Sequence, residues 1–127
     1  MSMQARTRMT IAMTLLLAMA IAIGTLTPPD QAPRTPSGVD KLLHFAAFAA
    51  LIFPAAVLRP DFLRWLLPVG MIYGGMIEII QPIVGRQAEW GDFIANTLGA
   101  FAGAGVGYWL HLRVLSARER RTPPQER

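Results

Sequence analysis

Cysteine is absent from this 127-residue sequence. The chain therefore has no disulfide, no Cys-ligated zinc site and no thiol nucleophile. A serine nucleophile is also poorly supported by the sequence. Ser37 stands in a Pro/Gly-rich stretch and Ser116 stands near the C-terminus, and neither has the pattern of a Ser-based triad around it. Charged residues make up only 16% of the chain, whereas hydrophobic residues make up 53%. Nucleophilic catalysis by Ser or Cys is therefore not predicted.

The chain is basic, with a net charge of +4 and an isoelectric point near 10.7. The basic residues concentrate at the two ends of the sequence. Those at the C-terminal end are Arg113, Arg118, Arg120, Arg121 and Arg127. A hydrophobic chain with basic ends is typical of a membrane protein held by cytoplasmic charge, and no folded basic face is available for nucleic acid. We expect no nucleic-acid partner.

Four apolar blocks predict four transmembrane helices, at about residues 9–26, 41–58, 63–84 and 92–113. Each is close to the roughly 20 residues that cross a hydrocarbon core as a helix, and the alternation of a membrane β-barrel is missing. The predicted fold is an all-α membrane bundle with short loops. Residues 1–115 form one domain in this prediction, and residues 116–127 form a basic disordered tail.

The first block also resembles a signal peptide, because Arg6 and Arg8 precede its apolar stretch. The stretch is long for a signal peptide and lacks a clear small-residue cleavage site, so an uncleaved helix is favoured. Cleavage of the first block is left open.

The distribution of Lys and Arg predicts that both termini are cytoplasmic. With that orientation, nine of the 12 basic residues lie inside and three lie outside. The inside set comprises Arg6, Arg8, Arg59, Arg64 and the five C-terminal arginines, and the outside set comprises Arg34, Lys41 and Arg86. The loops at residues 27–40 and 85–91 then face outward.

This topology brings polar residues to the outer ends of the last three helices. We call them the polar cluster: Asp40, Lys41, His44, Glu78, Gln81, Arg86, Asp92 and Asn96. Asp40 and His44, Glu78 and Gln81, and Asp92 and Asn96 are spaced i, i+3 or i, i+4, so the members of each pair are within contact reach on one helix face. An ionisable group inside a membrane is costly and marks a functional site by default. Glu78 is the clearest such group, with Arg86, Lys41 and His44 as its expected partners.

The fourth block carries a glycine at every fourth position, at Gly99, Gly103 and Gly107. Small residues at this spacing let another helix approach closely. We therefore predict that the fourth helix packs against a neighbour through these glycines, with Asp92 and Asn96 at the mouth of the seam.

The order and spacing of these residues resemble the VanZ-like family. The motifs are D-K-x-x-H-F at residues 40–45, E-x-x-Q at 78–81, Arg86, and D-x-x-x-N-x-x-G at 92–99. The resemblance covers about residues 39–107 and implies a multi-pass protein of the bacterial cytoplasmic membrane. The family takes its name from a protein associated with teicoplanin resistance, which implies a link to glycopeptide susceptibility. It does not supply a reaction.

Three functions remain open for the polar cluster. In the first, it binds a membrane lipid headgroup or a lipid-linked cell-envelope intermediate. Arg86 and Lys41 then contact the anionic part of this ligand, and the other members of the cluster shape the pocket. In the second, His44 acts with Glu78 or Asp92 as the acid and base of a lipid-directed enzyme. In the third, a Glu78–His44 relay transports an ion or solute, which requires a homo-oligomer. The bland alternative is that these side chains only tie helices together.

Metal and cofactors are not predicted from the sequence. One central histidine is present and no H-x-x-x-H or similar ligand spacing occurs, so we expect no metal ion. No cofactor motif is present either.

Overall fold

The computed structural model describes residues 1–31, 36 and 38–119, and the part of the chain that it describes contains helices and no strands. Four α-helices follow one another: α1 (Met3–Leu26), α2 (Val39–Leu58), α3 (Leu63–Ile80) and α4 (Trp90–Glu119). Short 3-10 turns, Pro60–Phe62 and Gln81–Val84, precede and follow α3. The all-helical fold expected from the sequence is therefore confirmed.

Within the described part of the chain, three segments are long and apolar enough to cross a membrane: Met3–Leu26, Val39–Leu58 and Pro60–Val84. Many large apolar side chains on these helices are exposed, such as Leu16 at 70% and Ile79 at 74%, as expected for surfaces that face lipid. Helix α4 is longer than the other three helices but less apolar, because it is rich in glycine and carries polar residues near its start. Length and hydropathy thus indicate a membrane protein with at least three spans.

The helix ends differ from the predicted ends by a few residues. Helix α1 begins at Met3, six residues before the predicted start, with the Ser2 hydroxyl accepting a hydrogen bond from Ala5 N–H as an N-cap. The α-helical part of α3 ends at Ile80, because Pro82 cannot donate to the α-helical ladder and the chain tightens into a 3-10 turn. Gly85 then ends that turn with a positive φ of 79°.

The predicted tail lies only partly within the described residues. Helix α4 continues through Glu119 and so includes the first four residues of the segment predicted to be disordered. Residues 120–127 lie outside the described residues. So do residues 32–35 and 37 of the first loop, including Arg34 and Ser37.

Helix α2 is the centre of the bundle and contacts each of the other three helices. Its buried face carries Phe48, Leu51 and Ile52, which pack with Ile77 of α3 and Ala100 of α4. Helix α1 joins this core through Ile21, and the Tyr73 hydroxyl of α3 donates a 2.5 Å hydrogen bond to the Ala18 carbonyl of α1. Helix α1 is therefore packed against the rest of the bundle.

The seam between α2 and α4 is the closest helix contact. A Cβ atom at Gly99 would lie 2.8 Å from the carbonyl carbon of Phe45, and one at Gly103 would lie 2.8 Å from that of Ala49. A Cβ atom at Gly107 would lie 2.6 Å from the Ala56 methyl group. The glycine stripe of α4 thus lies directly against the backbone of α2, and this contact sets how the two helices face each other.

Candidate functional site

All eight members of the polar cluster lie at one end of the bundle. This end is formed by the end of α1, the start of α2, the 3-10 turn after α3 and the start of α4. Helix α2 supplies Asp40, Lys41 and His44, while α4 supplies Asp92 and Asn96 from its first two turns. The glycine seam brings these two helix ends together.

A buried hydrogen bond links the two helices at this end. His44 Nδ1 lies 2.9 Å from Asn96 Oδ1, and both side chains are buried. An amide oxygen only accepts, so the histidine tautomer that satisfies this bond carries its proton on Nδ1. The lone pair of His44 then lies on Nε2, which faces Asp92 with 3.9 Å between Nε2 and Oδ2.

The Asp92 carboxylate is one of several buried groups of the site that have an atom without a hydrogen bond. Its side chain is 3% exposed, and no hydrogen bond from a described residue reaches its Oδ1 atom. The nearest cation is Lys41, with 3.6 Å between Nζ and Oδ1, which is beyond hydrogen-bond distance. A buried carboxylate with so little compensation is costly, so it indicates a place where a ligand adds a partner.

Lys41 pairs with a residue that the sequence patterns did not single out. Its ammonium group donates a 2.5 Å hydrogen bond to Glu89, which lies in the loop before α4. This contact lowers the pKa of the Glu89 carboxyl below its ordinary value of 4.5. A lowered carboxyl pKa means that the contact is complete at neutral pH and is lost only as the pH falls through that lowered value.

Glu78 does not form the expected ion pair among the described residues. Its Oε2 atom accepts a 3.2 Å hydrogen bond from the Glu89 backbone N–H, and its buried Oε1 atom has no hydrogen-bond partner. The prediction that Glu78 pairs with Arg86, Lys41 or His44 is therefore wrong. Lys41 contacts Glu89 and Asp92 instead, and Arg86 lies beside Asp40. His44 bonds to Asn96 of α4 and faces Asp92.

Arg86 and Gln81 anchor the end of α1. Gln81 donates from Nε2 to the Thr25 carbonyl at 3.4 Å, and Arg86 donates from Nη1 to the Thr27 carbonyl at 3.4 Å. The Arg86 Nη2 atom lies 4.0 Å from Asp40 Oδ1. The two acceptors, in the last turn of α1 and directly after it, are backbone carbonyls, which no side-chain pattern could have revealed.

Two cavities flank the cluster on opposite sides. The first, which we call the Arg86 cavity, has a volume of about 530 Å³ and lies between α1 and α2. Its wall is aliphatic, and Asp40, His44 and Arg86 supply its polar end. The second, the Glu78 cavity, has a volume of about 360 Å³ and is lined by Gly75, Glu78, Ile79, Ala88, Glu89, Trp90 and Phe93. Glu78 and His44 therefore line different cavities.

A family model described as VanZ/LLP1 matches residues 2–111. The chain belongs to the VanZ/LLP1 family. The resemblance drawn from the polar motifs is thereby confirmed, and the VanZ/LLP1 match extends further, to include α1. Searches of curated proteins and of solved structures gave no match.

The chemistry available to this VanZ/LLP1 site follows from the positions of its charges. Four carboxyl groups gather there, on Asp40, Glu78, Glu89 and Asp92, against two fixed cations, Lys41 and Arg86. Of these two cations, Arg86 lines the Arg86 cavity, whereas Lys41 forms an ion pair with Glu89. Asp40, His44 and Asp92 each offer a ligand atom, and these atoms lie within 4.8 Å of one another.

Proposed function

We propose that this VanZ/LLP1 protein crosses the bacterial cytoplasmic membrane four times and binds a lipid headgroup at its outer face. The ligand is the phosphate-bearing headgroup of a membrane lipid or of a lipid-linked cell-envelope intermediate. It occupies the Arg86 cavity, with both chain termini in the cytoplasm.

A fourth crossing by α4 is supported by its length and its exposed side chains. Its 30 residues extend about 45 Å at the helical rise, more than the ~30 Å hydrocarbon core. Leu98, Phe101 and Val106 are each more than half exposed, which suits a lipid-facing surface. Three polar residues of α4 contact α2 rather than facing the lipid: Asp92, Asn96 and His111.

The orientation is supported by the basic residues at the two ends of the bundle. Arg6, Arg8, Arg59, Arg64 and Arg113 lie at the end opposite the polar cluster. Only Lys41 and Arg86 lie at the cluster end among the described basic residues. Because Lys and Arg accumulate on the cytoplasmic side, this bias favours an outward-facing cluster.

The observation that carries the binding proposal is the composition of the Arg86 cavity. Its volume of about 530 Å³ is within the range of small-molecule pockets. An aliphatic wall formed by residues such as Leu17, Ile21 and Leu43 would take the first part of an acyl or isoprenoid chain. The guanidinium fork of Arg86 would take a phosphate. Among the described residues, one of its N–H groups is hydrogen-bonded, to the Thr27 carbonyl.

The sequence assigned the anionic part of the ligand to both Lys41 and Arg86. We now assign it to Arg86 alone, because Lys41 is already neutralised by Glu89. Asp40, 4.0 Å from Arg86, positions the guanidinium at the mouth of the cavity.

Replacing Arg86 by Gln is expected to remove bound phospholipid or lipid-linked phosphate from the purified protein. Hydrogen bonds to charged groups contribute about 1.5–3 kcal/mol, so retention should fall by at least about tenfold. The measurement is mass spectrometry of lipids extracted from detergent-purified protein that elutes as a single species. Arg64→Gln, at the opposite end of the bundle, is the matched control. Equal retention by the two variants would contradict the proposal.

A lipid-directed enzyme is the second candidate, and the His44–Asp92 pair beside the Arg86 cavity favours it over the other acid–base assignments. Glu78 lines the other cavity and is less suited to act on the same ligand. The retained lipid distinguishes the two candidates, because an enzyme would convert it to a product on incubation. Transport by a Glu78–His44 relay in a homo-oligomer, and a link to glycopeptide susceptibility, remain predictions from the sequence and the family resemblance.

A further inference from the structure

We propose that Asp40, His44 and Asp92 bind one divalent transition-metal ion, Zn²⁺ or Mn²⁺. The three side chains come from two helices, and one ligand atom from each lies within 4.8 Å of the others. This proposal concerns the ion itself and stands apart from the lipid ligand proposed above.

The three donor atoms need only small movements to reach the spacing that a bound metal ion requires. Ligand atoms about 2.0–2.2 Å from a tetrahedral metal lie roughly 3.4 Å from each other. The His44 Nε2 and Asp92 Oδ2 atoms are 3.9 Å apart, so they need to approach by only about half an ångström. Asp40 is the partly exposed member and has the side-chain freedom to complete the set.

His44 is prepared to act as a ligand by its hydrogen bond to Asn96. Histidines that ligate metals almost always donate their other ring N–H to an oxygen, which fixes the tautomer and the ring orientation. The Asn96 amide oxygen, 2.9 Å from Nδ1, performs this role, and the lone pair on Nε2 then faces Asp92. Asn96 is therefore a positioning residue for the proposed site.

Asp92 is the most buried carboxylate of the proposed site. Its side chain is 3% exposed, and its Oδ1 atom accepts no hydrogen bond from the described residues but forms an ion pair with Lys41 at 3.6 Å. Its Oδ2 atom faces His44 Nε2 at 3.9 Å, so two electron-rich atoms face each other. An ion held between Oδ2 and Nε2 would bind both atoms.

The proposed ligands include two carboxylates, on Asp40 and Asp92, which suit a divalent cation. Each also lies near a basic side chain, with Lys41 3.6 Å from Asp92 and Arg86 4.0 Å from Asp40. A mixed set of one imidazole and two carboxylates suits Zn²⁺ or Mn²⁺. With three protein ligands, one coordination position stays open toward the Arg86 cavity, which His44 and Asp40 both line.

The test is calorimetric titration of Zn²⁺ and Mn²⁺ into full-length protein in detergent, after treatment with a chelator and without added lipid. We expect about one ion per chain. Asp40→Asn and Asn96→Ala should each raise the dissociation constant at least about tenfold. Glu78→Gln is the matched control, because it removes one carboxylate from the same end of the bundle but from the other cavity. Equal weakening by Glu78→Gln and Asp40→Asn would overturn the proposal.

A second measurement on the unmodified protein guards against variants that do not fold. Co²⁺ bound by one imidazole and two carboxylates at a four-coordinate site absorbs visible light, and Zn²⁺ displaces it. We expect this absorption to appear and to saturate near one Co²⁺ per chain. Its absence from folded protein would overturn the metal assignment, whatever the outcome of the lipid experiment with Arg86→Gln.

Discussion

Gly99→Ala and Gly103→Ala are each expected to destabilise the bundle strongly, by about 3 kcal/mol. A methyl group at either position would meet the backbone of α2, at the carbonyl groups of Phe45 and Ala49. A backbone carbonyl has no rotamer through which to move away, so the two helices must separate. Separation would also pull apart the ends that carry His44 and Asn96, so loss of stability and loss of the site should occur together.

Gly105→Ala provides a matched control on the same helix. A Cβ atom at Gly105 has nothing within 4 Å, so the substitution should be neutral or stabilising, since alanine is the better helix former. Thermal unfolding in detergent, followed by size-exclusion chromatography of a fluorescent fusion, measures all three variants. If Gly99→Ala unfolds at the same temperature as Gly105→Ala, the close seam between α2 and α4 is wrong.

Asn96→Leu is expected to produce the second large loss of stability, about 1–3 kcal/mol, by leaving the His44 imidazole buried without its acceptor. The neighbouring variant Thr97→Ala should have little effect, because the Thr97 hydroxyl bonds only to the Phe93 carbonyl of its own helix. The same thermal unfolding assay serves for both variants.

A double-mutant cycle separates the hydrogen bond from general packing. Removing both polar partners, with His44→Phe and Asn96→Leu together, should cost less than the sum of the two single substitutions, since no buried polar group is then left alone. Additive losses would show that the two side chains stabilise the bundle independently and would contradict their direct bond. The double variant should also lose any bound metal ion.

The sequence was sufficient to predict which residues lie at the same end of the bundle, and the reasons are local. Helical spacing puts Asp40 with His44 and Asp92 with Asn96, and the length of the apolar blocks brings the ends of consecutive helices to the same side. The family resemblance added the order of the motifs. None of these inferences requires knowledge of how each helix is rotated about its axis.

The pairing within the cluster could not be predicted, because it depends on that rotation. The contact of Gly99 and Gly103 with α2 turns Asp92 and Asn96 toward His44, and α3 is left with Glu78 facing a different cavity. The sequence therefore suggested an ion pair for Glu78 that the described residues do not form. Glu89 was missed for a related reason, since a loop residue has no periodicity from which its neighbour can be inferred.

The proposed metal site likewise depends partly on spacing within one helix and partly on how the helices pack. Asp40 and His44 share one face of α2, but two ligands do not define a site. The third ligand, Asp92, becomes available only when α4 is packed and the Asn96 bond fixes the histidine tautomer. A search for ligand spacing along the chain therefore finds no site, although the folded helices bring the three proposed ligand atoms within 4.8 Å of one another.

The outward orientation of the polar cluster underlies the proposed function, and the absence of cysteine allows it to be tested directly. Gln87 is exposed in the loop beside Arg86, and Asp61 lies in the turn at the opposite end of the bundle. A single cysteine is introduced at Gln87, with a single cysteine at Asp61 as the control. Intact cells that carry either variant are treated with a membrane-impermeant maleimide. We expect Gln87→Cys to react in intact cells and Asp61→Cys to react only after permeabilisation. Reaction of Asp61→Cys alone in intact cells would contradict an outward-facing site for lipid headgroups.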